Sequence, residues 1–124
     1  MMKASNTKTL DELLDAVLHD YGLSYGVAAT TGGEVLSRRG DIGALRWKGL
    51  LDQLFGSPDA IVRLVGSLEG QILPQVYGQG DIRAAVLRPR GDLVVGLFGA
   101  ATNAGGFYIL ADAASNRLAD ELPR

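Results

Sequence analysis

The stretch Ile82 to Gly99, IRAAVLRPRGDLVVGLFG, limits the possible folds more than any other part of the chain. Two apolar runs rich in β-branched residues, Ile82–Leu87 and Leu93–Phe98, flank Arg88-Pro89-Arg90-Gly91-Asp92, which is turn chemistry: proline pre-sets one φ and glycine accepts a positive one. The pattern predicts a β-hairpin. Arg83 is the main polar interruption in the two runs, so both faces of the hairpin require an apolar cover, which the rest of the chain must supply.

The preceding sequence offers that cover. Thr9-Leu10-Asp11-Glu12 is a capping-box pattern, and Leu10, Leu13, Leu14, Val17 and Leu18 recur at helical spacing, predicting a helix over about 10–20 that stops at Gly22. Leu23 to Thr30 reads as a strand turned by Thr31-Gly32-Gly33 into Glu34–Arg38, and Gly26 within it marks a close approach of another element. Asp41 is placed to cap a second helix reaching Phe55, with Ala44, Trp47, Leu50, Leu51, Leu54 and Phe55 in one broad stripe and Leu45 off it. Gly56-Ser57-Pro58 breaks that helix and restarts it, with Ile61, Leu64, Val65 and Leu68 as the apolar face of the second part.

Gln71 to Tyr77 reads as a third strand, and Pro74, which cannot donate to a ladder, places it at an edge or a bulge. After the central hairpin, Thr102 or Asn103 is the candidate cap of a final helix that buries Phe107, Leu110, Ala111, Ala114 and Leu118. The expected fold class is α+β: a five-stranded antiparallel sheet flanked by helices, in the order helix, two strands, broken helix, three strands, helix. Residues 1–8 read as a polar, loose N-terminal segment, and 9–122 as one domain.

With 47% hydrophobic and 21% charged residues among 124, the chain has the balance of a folded globular protein. The absence of cysteine removes disulfides, thiolate metal sites and thiol catalysis. A net charge of −2 gives no broad basic surface for nucleic acid. No apolar run reaches the roughly 20 residues of a membrane span, and the N-terminal residues lack the apolar segment of a secretion signal, so the expected location is cytoplasmic.

No catalytic constellation emerges. His19, the single histidine, sits where it complements the end of a helix dipole. No serine lies in G-x-S-x-G, and Gly78-x-Gly80 lacks the rest of a dinucleotide fingerprint and is explained by a turn. The pairs Asp11/Glu12 and Asp120/Glu121 read as solvated helix faces, and Arg90-Gly91-Asp92 as a hairpin turn. Arg38, Arg39, Arg83, Arg88 and Arg90 form either a small basic patch at the hairpin tips or a solvated rim. No cofactor or metal is expected. The broken helix is richer in apolar residues than one sheet face needs, which favours an interface there over a wholly internal role.

The opening amphipathic helix, the hairpin YGVAATTGGEVLSRRGD, the helical segment after Asp41, the hairpin RAAVLRPRGDLVVGLFG and the closing helix together resemble the Roadblock family, comprising dynein light chains of that type and bacterial gliding-motility relatives. The resemblance runs from Leu10 through Leu118 and rests on topology and apolar pattern. It departs from the usual pattern at Gly56-Ser57-Pro58, where the family ordinarily has one long helix, and at Pro74. It implies a non-enzymatic homodimeric adaptor or regulator that binds a small Ras-like GTPase through paired helices, with a strand edge joining two sheets. By position, Ala44, Trp47, Leu51 and Phe55 would be dimer or partner contacts, and Gln71, Leu73 and Val76 would belong to the edge strand. A small-ligand sensor of the PAS or GAF type is the alternative, and a small hydrolase or isomerase using the scattered carboxylates a third class.

Overall fold

A computed structural model describes residues 9–44, 49–71, 73–100 and 104–122. They form four α-helices, α1 (Leu10–Tyr21), α2 (Gly49–Phe55), α3 (Pro58–Ser67) and α4 (Ala104–Glu121), and five strands, β1 (Tyr25–Thr30), β2 (Val35–Gly40), β3 (Gln75–Gln79), β4 (Ile82–Arg90) and β5 (Leu93–Ala100). All five strands join one sheet in the order β2-β1-β5-β4-β3, and every pairing is antiparallel. The central hairpin is therefore the middle of the sheet on its β5 side. Its apolar character on both faces follows from the two helical layers that cover it.

Side chains alternate between those layers. Val94 and Phe98 of β5, with Val27 of β1 and Ala84 and Val86 of β4, pack against Leu50, Leu51, Leu54 and Phe55 of α2 and Ile61 and Leu64 of α3. Val95 and Leu97 of β5, with Ala85 and Leu87 of β4, pack on the other face against Leu13, Leu14, Val17 and Leu18 of α1 and Phe107, Ala111, Ala114 and Leu118 of α4. Phe98 is the aromatic hub of the first layer, with its ring centroid 6.3 Å from that of Tyr25 and 6.4 Å from that of Phe55. Gly96, between Val95 and Leu97, has no side chain because the Phe55 ring lies over it.

The helix boundaries follow local chemistry. Thr9 Oγ1 accepts from the Glu12 N–H at 3.2 Å while the Glu12 carboxylate accepts from the Thr9 N–H at 3.0 Å, closing the capping box. Gly22 ends α1 at φ 66°, a left-handed conformation natural to glycine. Leu14 and Leu18 of α1 lie over Gly26, the close approach expected for it. Between α2 and α3, Ser57 Oγ accepts from the Ala60 N–H at 3.1 Å, with Pro58 at the first helical position.

Three elements differ from the sequence expectation. At Asp41 the carboxylate accepts from the Gly43 N–H at 2.9 Å and opens a 3-10 turn, Ile42–Ala44, while the expected continuation over 45–48 lies outside the described residues. Among the described residues α2 begins at Gly49, where the Gln79 side-chain oxygen accepts from the Leu50 N–H at 2.9 Å. The third strand starts at Gln75 instead of Gln71, because Pro74 is confined to the approach of the strand. The fourth strand continues through Pro89 to Arg90, with the pairing irregular between Leu87 and Arg90, where a residue without an N–H is tolerated. The expected caps Thr102 and Asn103, and the expected loose segment 1–8, lie outside the described residues.

Exposed ion pairs tie α1 to its neighbours. Arg39 of β2 donates two hydrogen bonds to Asp15, at 2.9 and 2.8 Å, and Arg117 of α4 bonds Asp20 at 2.6 Å and Glu121 at 3.0 Å. The guanidinium hydrogen bonds hold the Asp15 and Asp20 carboxyls below the ordinary value of 3.8. Depressed carboxylate pKa values add stability above pH 3.8, and this is lost as pH falls through the lower folded-state values. Both pairs are exposed and solvent-screened, so the effect is small. Urea unfolding followed between pH 5 and pH 2.5 is expected to show a shallower acid decline for Asp15→Asn than for the unaltered chain.

Candidate interaction surface

The two sheet edges are built differently. β2, the edge beside β1, carries Arg38 and Arg39 and a bulge where the register shifts between Ala28 and Ala29. Charge and a bulge are the usual guards against further strand addition. β3, the opposite edge, is Gln75-Val76-Tyr77-Gly78-Gln79, five residues with no charge, no proline and no bulge in its pairing with β4. Its outer side meets no strand of this chain among the described residues. A shallow depression of about 380 Å³ runs along it, lined by Val76, Tyr77, Gln79 and Arg83.

Next to β3 stands the outer face of α2 and α3. Asp52 and Gln53 of α2 and Asp59, Val62 and Arg63 of α3 are exposed, and Val62 keeps 48% of its surface in solvent. A groove of about 250 Å³ separates this helical layer from the strand, between Gln53, Leu54, Arg63 and Leu64 on one side and Tyr77 on the other. The break at Gly56-Ser57 lets both short helices keep an apolar stripe on the sheet while the polar residues between stripes face out.

The residues singled out in the sequence distribute unevenly over this surface. Leu51 and Phe55, expected as contacts, are 4% and 1% exposed and pack against the sheet, so they form part of this chain's core. The reason is geometric: Leu50, Leu51, Leu54 and Phe55 fall within one stripe, which a single sheet face accommodates. The surplus of apolar residues is thus absorbed internally at these four positions. Trp47 lies outside the described residues, as does the side chain of Ala44. Gln71 is exposed but precedes the strand, its N–H bonded to the Leu68 carbonyl at 3.0 Å. Leu73 packs against the α2–α3 core, and Val76, half-buried on β3, packs against the α1–α4 layer. Val62 and Arg63, not singled out from the sequence, take outward positions between the buried residues of α3.

The remaining candidates resolve into structural roles. The five arginines do not gather: Arg38 is exposed on β2 opposite Val27, Arg39 bonds Asp15, Arg83 the Gly80 carbonyl, Arg88 Glu69 and the Gly91 carbonyl, and Arg90 the Leu122 carbonyl. Gly91 and Asp92 are the turn between the paired residues Arg90 and Leu93, and Gly80 turns β3 into β4 at φ 59°. Asp11 accepts a hydrogen bond from Ser37, Glu12 serves the capping box and Glu121 meets Arg117. His19, at the end of α1, contacts Asp20 at 3.2 Å. Among the described residues, no group of three or more histidine, aspartate or glutamate side chains is arranged to hold a metal ion, and no helix is long and apolar enough to cross a membrane.

No protein-family model matches the sequence, and no curated protein sequence matches it significantly. Solved structures do. A structure described as MglB with tetrameric arrangement superposes with a TM-score of 0.60 at 16% identity, covering 88% of this chain and 84% of that one. The gliding protein MglB from Thermus thermophilus gives 0.60 at 17% identity over 88% and 84%. A Roadblock/LC7 domain from Streptomyces avermitilis gives 0.58 at 12% identity over 90% and 95%. The four helices and the five-stranded sheet of this chain have the Roadblock-type fold shared by these MglB and Roadblock/LC7 structures.

Proposed function

We propose that this chain is a cytoplasmic, non-enzymatic regulatory module that forms a homodimer and binds a small Ras-like GTPase. The observation that carries the reading is the unguarded β3 edge beside the mixed polar and apolar face of α2 and α3, on a Roadblock-type fold. Two copies related by a two-fold axis place β3 against β3, so that each strand completes the other's outer edge and the two α2–α3 layers come side by side. One MglB of the same fold is described in a tetrameric arrangement, an assembly of more than one copy. Val76 is the expected contact that lies on the strand itself, and Val62, Gln53 and Arg63 join it as the outward-facing residues. Leu51 and Phe55 support the surface from beneath. Trp47 is retained as a proposed contact on its sequence position alone.

A GTPase bound on such a face would be regulated by positioning of its own catalytic groups. The test is a titration of this chain into a small Ras-like GTPase carrying a slowly hydrolysed, fluorescent GTP analogue, followed by anisotropy. Saturable binding is expected, weakened at least about tenfold by Val62→Glu, a substitution at a half-exposed position that leaves the circular dichroism unchanged. Equal binding by Val62→Glu would remove the α3 face from the site. Failure of GTPases of this class to bind at all would overturn the reading.

A further inference from the structure

At the opposite end of the sheet from the β3–β4 turn, the β1–β2 and β4–β5 turns meet the start of α1 and the end of α4 around a half-open cavity of about 230 Å³. Four leucines from separate parts of the chain wall it: Leu10 of α1, Leu36 of β2, Leu93 of β5 and Leu122 just after α4. Thr30, Arg90 and Asp92 complete its described lining. We propose that this cavity binds a small, neutral, largely apolar molecule, up to about the size of indole.

Leu36 is the first reason. The pairing of β1 with β2 matches Ala28 with Ser37 and Ala29 with Val35, so Leu36 has no partner. An unbroken register would set Leu36 opposite Ala29, whose side chain lies in the α2–α3 core; the bulge gives that place to Val35 and leaves Leu36 to wall the cavity beside Leu10 and Leu122. It remains 48% exposed there. A leucine turned by a bulge onto an open apolar wall is the arrangement of a ligand site, since bulges re-aim side chains next to such sites.

The polar part of the lining supplies the second reason. Among the described residues Arg90 and Asp92 balance in charge and Thr30 is neutral, so together they favour no ionised head group. The Arg90 guanidinium is also held, because it donates to the Leu122 carbonyl and so fixes the end of α4 as a wall. Size supplies the third. An apolar cavity of about 150 Å³ lined by similar side chains is enough to hold benzene, and the larger volume here admits a bicyclic aromatic. The cavity does not share residues with the β3 and α2–α3 surface, so this proposal stands or falls apart from the GTPase reading.

The experiment is a titration of the full chain, labelled with ¹³C at leucine methyls, with indole as the probe. Saturable shifts are expected at Leu10, Leu36, Leu93 and Leu122, with Leu50 and Leu54 in the other layer unmoved. The melting temperature should rise by about 3–6 °C at ten times the measured dissociation constant. Leu36→Trp, which fills the space from a half-exposed position, should stay folded and lose the response. Leu36→Ser, which makes the wall polar, should weaken it at least fivefold and serves if the tryptophan variant does not fold. No shift up to the solubility limit of indole, shifts spread equally over both layers, or an undiminished response in the Leu36 variants would overturn the proposal. So would movement of the four methyls with protein concentration alone, which would mark a second copy as the occupant.

Discussion

Leu51→Asp is expected to leave no folded chain. Leu51 is 4% exposed among Leu50, Leu54, Phe55 and the sheet residues of the α2–α3 layer. Removing its side chain forfeits burial worth about 2–5 kcal/mol. Placing a carboxyl there without a partner adds a burial penalty of at least about 2 kcal/mol. The sum rivals the whole stability of a domain of this size, about 5–15 kcal/mol. Circular dichroism and urea unfolding are the readouts, with Val62→Glu on the outer face of α3 as the folded control. A folded monomeric Leu51→Asp would contradict the core placement and return the residue to an interface.

The second large effect is a coupling between Phe55 and Gly96. Phe55→Ala removes a ring that is 1% exposed and packed edge-on to Phe98, at an expected cost of about 3–5 kcal/mol. Gly96→Ala destabilises by overpacking, about 1–3 kcal/mol, because a Cβ there meets Cζ of Phe55 at 2.9 Å and other ring atoms as well. With Phe55 already alanine, the added methyl enters vacated space, so Gly96→Ala should then be neutral or stabilising. A double-mutant cycle measured by urea unfolding should therefore give a coupling of at least about 1 kcal/mol. Additive costs would show that Phe55 does not lie over Gly96.

These two tests bear on what could be read directly from the residues. The central hairpin was legible because Ile82–Leu87 and Leu93–Phe98 are apolar at nearly every position, which only a sheet covered on both sides satisfies. α1 was legible from its stripe and its capping box, and the α2–α3 break from Gly56-Ser57-Pro58, each a local signal that the fold does not override. Pro74 pointed to an edge or a bulge for the third strand, but the full strand order was not legible, since nothing local in QVYGQ specifies its neighbours. The burial of Leu51 and Phe55 was not legible because a count of apolar residues says nothing of how many one sheet face accepts; Gly96, by clearing space for the Phe55 ring, raises that number. The cavity behind Leu36 was invisible for a similar reason, because a bulge is a property of two strands and the sequence displays only one.

The central claim is that the uncharged β3 edge and the outer face of α2 and α3 bring two copies together. Light scattering over a concentration series tests it most directly. The expected mass is twice the 13.1 kDa of one chain, holding at micromolar concentration, whereas a strictly single-chain mass at the highest concentration reached would contradict the pairing.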